Sequence, residues 1–416
     1  MEFTWLSWLI IAALLANFLI TAWADRLNLQ ALTPELPTDF AQVYSAAEYA
    51  RSQQYTRAKT RFGLVTGGVD LVLLLLFWRL NGFNWLDQLI RGLGQGEVVT
   101  GLLYLGGLLL VKTLLAIPFS LWSTFVLEGR YGFNRTTPRT FILDLLKGIG
   151  LTVCLGGPLL ALLLYFFQWA GPLAWLYGWG LTTAFIVILQ FVAPTWIMPL
   201  FNTFTPLADG ELKERIMAYA KAVGFTLEML FVIDGSKRSS KSNAFFAGFG
   251  KHKRIALYDT LIEGHSIEEL VSVLAHEIGH YQKRHILQGM AISIVHLGIM
   301  FYLLSLALGS QGLFAAFGME QPSVYAGLIF FSLLLTPLEL VLAMLMNLLF
   351  RHNEFEADRF AVETVGTSEA LITALQKLSV NNLANLTPHP FYVLLHYSHP
   401  PLLARIAAMR ALAGRG

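Results

Sequence analysis

Two histidines four residues apart, with a glutamate directly after the first, are the most chemically pointed residues in the sequence: His276-Glu277-Ile278-Gly279-His280. They follow Ser266-Ile267-Glu268-Glu269, a capping box that opens a helix whose apolar residues are Leu270, Val271, Val273 and Leu274. Positions i and i+4 share a helix face, so both imidazoles can reach one metal ion. Glu277 lies about 100° round the helix, where its carboxylate can reach a metal-bound water without ligating the metal. Zinc lowers the pKa of such a water toward neutrality, and Glu277 would take its proton as general base during attack on a peptide carbonyl. The plainer reading is two surface histidines beside a solvated glutamate. A metzincin arrangement is excluded, because Lys283 and Ile286 stand where it requires Gly and His. His285, five residues on, falls off the shared face. The third ligand must come from elsewhere.

A candidate lies in Arg351-His352-Asn353-Glu354-Phe355-Glu356-Ala357-Asp358, which begins where the last long apolar stretch ends. A helix leaving a bilayer there could bring Glu354 to complete a His2Glu site holding one zinc ion per chain. Asp358, four residues later on the same face, could hold the remaining N–H of a ligand histidine. On spacing alone, an ordinary acidic helix face beside Arg351 and Arg359 accounts for these residues equally well. Asn243 sits in an apolar, β-type stretch before a second strand. An exposed edge there could pair with an extended substrate backbone, the Asn amide fixing its register; a turn after Ser242 is the alternative. His399 precedes Pro400-Pro401 and could stabilise an oxyanion or donate to a leaving amine, although capping or packing is the commoner role for such a histidine. His389 and His396 carry no comparable argument.

The elements that must position these residues are membrane helices. Of 416 residues, 55% are hydrophobic and only 13% charged, against about a quarter charged in soluble chains. A net charge of +2, with no basic block interleaved with aromatics, excludes nucleic-acid binding. The single cysteine, Cys154, excludes an intrachain disulfide or a cysteine metal cage. Seven stretches are long and apolar enough to span: Thr4 to Ala24, Phe62 to Leu80, Thr100 to Val126, Phe141 to Phe167, Pro172 to Phe191, Ile286 to Leu308 and Val324 to Leu349. The first ends in a cleavage-like Ala22-Trp23-Ala24, but its leading segment carries Glu2 and no basic residue, so it reads as a retained helix. Lys and Arg concentrate in alternate loops, which predicts an external N-terminus and a cytosolic C-terminus. Asp70, Lys112, Asp144, Lys147, His296 and Glu339 fall within spans and should face partners, snorkel or line a wet cavity.

Two polar segments, Asn202 to Arg284 and His352 to Gly416, should fold together against the helices. The first holds an amphipathic helix pattern (Glu211 to Val223) and two β-rich pieces, Leu230 to Ile233 and Ile255 to Tyr258. The expected organisation is 1–201 as a five-span region, 202–285 as the cytosolic part bearing HEIGH, 286–350 as two further spans, and 351–416 as the part bearing the third ligand.

The sequence resembles the type I CAAX prenyl endopeptidases, a family of integral-membrane gluzincins. The matching residues are Tyr131-Gly132-Phe133-Asn134 with Thr137, Phe141, Asp144 and Lys147; Asn243-Ala244-Phe245-Phe246-Ala247-Gly248-Phe249; Lys253 to Leu261; HEIGH; Glu354 to Asp358; and Tyr397-Ser398-His399-Pro400-Pro401-Leu402 with Arg405. The resemblance implies a mainly α fold: seven helices around an intramembrane chamber, with a gluzincin-type zinc protease domain carrying a small β-hairpin. It implies His276, His280 and Glu354 as zinc ligands, Glu277, Asp358 and His399 as catalytic groups, and Asn243, Phe245 and Arg405 at the substrate. The partners it implies are the bilayer and a peptide or protein substrate, prenylated if the likeness extends that far; no oligomeric state follows. The tail shows no retrieval signal, so a bacterial inner membrane is expected, or the endoplasmic reticulum in a eukaryote. A heat-shock membrane protease shares the zinc motif but has fewer spans. A transporter or channel with a structural zinc would have no use for Glu277.

Overall fold

The computed structural model describes residues 2–227, 229–247 and 254–413; Gly248, Phe249 and Lys253 of the matching motifs lie outside the described residues, as does the side chain of Phe245. Six helices are long and apolar enough to cross a membrane: Trp5–Gln30, Ala46–Arg79, Glu97–Glu128, Pro138–Trp169, Gly171–Leu200 and His285–Leu308. The expected seventh is broken. Val324–Leu334 and Thr336–Val365 meet at 59°, with Pro337 in the first turn of the second piece. Proline has no N–H to give and its ring crowds the preceding turn, so the helix must restart there. The second piece runs on past the expected end at Leu349, without a break, to Val365. Wide π-type turns at Trp122–Glu128, Thr152–Gly156 and Ala193–Ile197 lie beside Pro118, Pro158 and Pro194, whose missing donors loosen the local ladder.

The spans close into a ring. The first packs on the second and on the seventh, the third on the fourth, the fourth on the fifth, the fifth on the sixth, and the sixth on the seventh. Phe62 against Phe119, with centroids 6.4 Å apart, and Tyr55 donating to Glu128 at 2.5 Å join the second to the third. In a solid bundle each helix would bury a face, yet only a small part of each of the six spans is buried. Little of each span is therefore packed against its neighbours, and the ring is loosely filled.

Each end of the ring is plugged. At one end Phe317 stacks between Trp78 (4.1 Å) and Phe330 (3.9 Å), with Ile10, Tyr104, Leu164 and Tyr325 buried around them. At the other lies the polar part of the chain. Strands β1 (Phe204–Pro206), β2 (Met229–Ile233), β3 (Ala244–Ala247) and β4 (Arg254–Tyr258) form a sheet ordered β1-β2-β4-β3. The expected hairpin is the antiparallel β3–β4 pair, and β2 extends it by pairing parallel to β4. Leu230, Ile255 and Leu257 pack with Ile216 of the Glu211–Ala222 helix and with Leu270, Leu274 and Ile278 of the HEIGH helix. A second cluster packs the opposite side of that helix on Ala361, Val362, Leu371, Ile372, Ile406 and Met409, and draws in Phe40, Tyr44 and Tyr49 from the amino-terminal region. Each fully buried aliphatic side chain stabilises this arrangement by roughly 1.5–3 kcal/mol.

Four of the six ionisable groups in the spans have polar partners, as their desolvation would favour, and the other two are exposed. Asp144 takes a forked pair of bonds from Arg238 at 2.7 and 2.8 Å, tying the fourth span to the segment before β3. The Lys147 ammonium donates to the Leu200 carbonyl at 2.6 Å, and His296 lies 3.3 Å from Glu339. Lys112 lines an inter-helix cavity with Asp144, Thr113, Ser120 and Thr124. Asp70 is exposed.

Candidate metal centre and active site

HEIGH occupies the last turns of the helix Ile267–Gln282, capped reciprocally by Ser266 and Glu269. Ala275 and Ile278 point into the core, which leaves His276, Glu277 and His280 for the opposite side. Gly279 sets how close the second motif can come. A Cβ there would lie 3.1 Å from the Cα and carbonyl oxygen of Ala357. Only glycine lets the two helices touch backbone to backbone, and that contact carries Glu354 under the histidines.

His276 Nε2 lies 3.2 Å from His280 Nε2 and 3.4 Å from Glu354 Oε2, and His280 Nε2 lies 3.2 Å from Glu354 Oε1. Donor atoms placed tetrahedrally at zinc's bond length of about 2.0–2.1 Å stand about 3.3 Å apart, so the cluster has the size of a zinc site. Its chemistry also fits. Glu354 Oε2 is buried and makes no hydrogen bond of good geometry among the described residues, with only the ion-pair contact of Arg405 Nη1 at 3.3 Å and His276 Nε2 at 3.4 Å beside it, and two imidazole nitrogens aimed at each other need a cation or a shared proton between them.

Other side chains fix the cluster. His276 Nδ1–H donates to Asp358 at 2.9 Å, which turns the Nε2 lone pair inward. Asp358 in turn accepts a forked pair of bonds from Arg405 at 2.6 and 2.7 Å, and Arg405 Nη1 lies 3.3 Å from Glu354. Burial works against the His276 imidazolium, but the bonds to Asp358 and Glu354 outweigh it and raise the group to about 9. Asp358 thus stands behind His276. Arg405, expected at the substrate, lies behind the cluster: its side chain is 8% exposed and it does not line the cavity. A guanidinium buried this deeply needs carboxylates around it, and Asp358 and Glu354 supply them.

His285 departs from the sequence reading too. The helix stops at Lys283, Arg284 takes a left-handed conformation (φ 60), and a new helix starts at His285. Helical phase does not carry across that break, so His285 swings back. Its Nδ1 lies 3.0 Å from His280 Nδ1 and its Nε2 3.1 Å from Glu356. The polar run Gln282-Lys283-Arg284 between two helical patterns was the only available signal of the break.

A cavity of about 760 Å3 opens over the cluster, with Glu277, His399, Asn243 and Ala244 on its wall. Glu277 is half-buried and free of hydrogen bonds among the described residues. His399 Nε2 stands 3.3 Å from Glu354 Oε1, with Ser398 bonded to its Nδ1 at 2.9 Å; desolvation by the surrounding wall pushes its pKa down. Asn243 is exposed just before β3, which among the described residues is an edge strand paired with β4 alone. The cavity continues between the fifth and sixth spans, past Ile186, Val187, Met290, Ile294 and Leu297. The structure thus gathers His276, His280, Glu354, Glu277, His399 and Asn243 at one surface and places Asp358 and Arg405 behind it.

Known proteins share this architecture. Residues 25–203 match the CAAX prenyl protease N-terminal region of five membrane helices, and residues 206–413 match Peptidase family M48. The chain is 38% identical to a rice CAAX prenyl protease 1 homolog, covering 90% of both chains. It is 36% identical to CAAX prenyl protease 1 of Saccharomyces cerevisiae (87% of this chain, 85% of the relative). The crystal structure of S. mikatae Ste24p superposes with a TM-score of 0.91 at 35% identity, covering 98% of this chain and all of that one. With two family signatures covering nearly the whole length, and a ring of membrane helices carrying a His–His–Glu cluster, the chain is a multi-pass membrane metalloprotease belonging to peptidase family M48, of the CAAX prenyl protease type.

Proposed function

We propose that the chain is a zinc endopeptidase that trims the C-termini of prenylated proteins, with His276, His280 and Glu354 as the zinc ligands. The observation that carries this reading is the trio of residues His276, His280 and Glu354, whose imidazole nitrogens and two carboxylate oxygens approach one another to 3.2 to 3.4 Å, on the wall of a cavity with an apolar extension between two membrane helices. A bound zinc ion would acidify water and polarise the scissile carbonyl. Glu277 takes the proton of the attacking water and returns it to the leaving amine. The free edge of β3 pairs with the extended substrate backbone, with Asn243 setting its register. His399 donates to the developing oxyanion. Asp358 and Arg405 hold His276 in its ligating tautomer. The names of the relatives support a prenylated substrate, and the apolar extension would take the prenyl chain. The basic loops support a cytosolic site with the N-terminus outside.

Cleavage of a farnesylated CAAX peptide and its unprenylated twin by the purified protein tests this. The farnesylated peptide should be cut faster, and Glu277→Gln should keep its zinc while losing about 10²–10⁴-fold in kcat. Activity surviving in Glu277→Gln would sink the mechanism, and equal cleavage of both peptides would sink the prenyl preference.

A further inference from the structure

On the protease side of the ring, the second span begins well outside its apolar stretch. Ala47, Arg51, Gln54, Ala58 and Arg61 recur at alternating intervals of four and three residues, and so share one face of the Ala46–Arg79 helix. That face, with Arg57, looks across to Arg130 and Tyr131, which follow the third span, over a cleft of about 650 Å3. The two alanines make the hollow and the arginines line it. Arg51 Nη2 donates to the Tyr131 carbonyl at 2.8 Å, which fixes one guanidinium across the cleft. The lining contains no acidic residue. The nearby Glu128 is already taken by Lys241 and Tyr55. Among the described residues, Arg57, Arg61 and Arg130 have no carboxylate partner within 4.0 Å.

Four guanidinium groups around one hollow repel each other unless an anion joins them. The depth of the cleft says which anion. Arg61 immediately precedes Phe62, the first residue of the expected apolar stretch, and Arg130 lies four residues past Val126, where the third apolar stretch ends. The cleft therefore sits at the boundary between hydrocarbon and water, at the height of lipid headgroups. Arginine's planar fork suits phosphate oxygens, and basic pockets between helices at this level hold phosphorylated headgroups. We propose that the cleft formed by Arg51, Arg57, Arg61 and Arg130 is a binding site for a phosphomonoester headgroup of an anionic membrane lipid, separate from the metal centre.

The test is lipid binding by the full-length protein in phosphatidylcholine nanodiscs, read by native mass spectrometry. Phosphatidylinositol 4-phosphate is compared with phosphatidylinositol, which lacks the phosphomonoester, and inorganic phosphate is the soluble arm. The phosphorylated lipid should bind preferentially. Arg57→Gln with Arg130→Gln should weaken it by about tenfold or more, without lowering thermal stability, since both side chains are exposed. Lys59→Gln removes a charge from the same helix but outside the cleft, and should leave binding unchanged. Equal weakening by Lys59→Gln, or no preference over phosphatidylinositol, would overturn the site as no more than basic surface charge. Inorganic phosphate binding as tightly as the lipid would overturn the assignment to a headgroup.

Discussion

Arg405 separates two accounts of the site, and Arg405→Met tests them. Methionine keeps most of the packed stem and removes the charge. What remains is Asp358, 2% exposed, with only His276 Nδ1 to satisfy it, and Glu354 without its nearest cation. Removing one partner of a buried ion pair costs about 3–5 kcal/mol, because the other charge stays behind in low dielectric. For 416 residues, an unfolding entropy of roughly 2.1 cal/mol/K per residue turns that into a fall in Tm of about 3–6 °C. A metal on Glu354 offsets part of the imbalance, so the metal-loaded protein should lie at the small end. Thermal unfolding in detergent, metal content by mass spectrometry and peptide KM are read on the same preparation. If Arg405 holds the carboxylates, Tm and metal content fall first. Arg405→Met with Asp358→Leu should then recover part of the lost stability, since an apolar pair replaces a broken ionic one. A Tm within about 1 °C of wild type, with full metal content and a raised KM, would refute the argument and restore Arg405 to the substrate.

Glu356 accepts from His285, which can then accept from His280 Nδ1–H and leave His280 Nε2 for metal. His285→Phe should therefore weaken zinc binding about 10–100-fold in a chelator competition, as such outer hydrogen bonds do elsewhere. Gly279→Ala should cost about 1–3 kcal/mol by prising the two motif helices apart, measured as lowered Tm and lost metal. His276 is raised to about 9, so the chelator-stripped protein carries a proton there at neutral pH that metal must displace. Zinc binding should release that proton, read by calorimetry in buffers of different ionisation enthalpy, and should weaken as pH falls. The same raised group stabilises the stripped fold fully below its ordinary value near 6.5, and that contribution is lost as pH rises through about 9.

What the sequence revealed follows from the range of each signal. The pairing of His276 with His280 needs only helical spacing, and the structure keeps both on one helix with their Nε2 atoms together. The spans need only length and composition, and six of them stand as single long helices. Glu354 was harder. Its spacing fits an ordinary acidic face, and what distinguishes it is a contact between Gly279 and Ala357, 78 residues apart in the sequence. The bend at Pro337 was legible as a proline but not as the device that redirects a span toward the site, because direction depends on what the far half packs against. That half packs against the HEIGH helix and the Leu402–Ala413 helix.

His285 shows most clearly where local reasoning ends. Extending the helical wheel from His280 places it off the metal face, and that extension is sound as long as the backbone stays right-handed. One residue, Arg284 at φ 60, cancels it. An arginine in that conformation costs about a kcal/mol or more and has no propensity that would announce it. The surroundings hold it there: the HEIGH helix is anchored in the protease core while the following helix must enter the ring at a fixed place, so the chain turns in the two residues between them. The turn that joins membrane to protease is the same turn that aims His285 at His280. A variant that relieves the strain, Arg284→Gly, should therefore raise stability while leaving the His280–His285 bond and zinc affinity intact. Lost zinc affinity with unchanged stability would show that the arginine side chain, rather than the turn, serves the site.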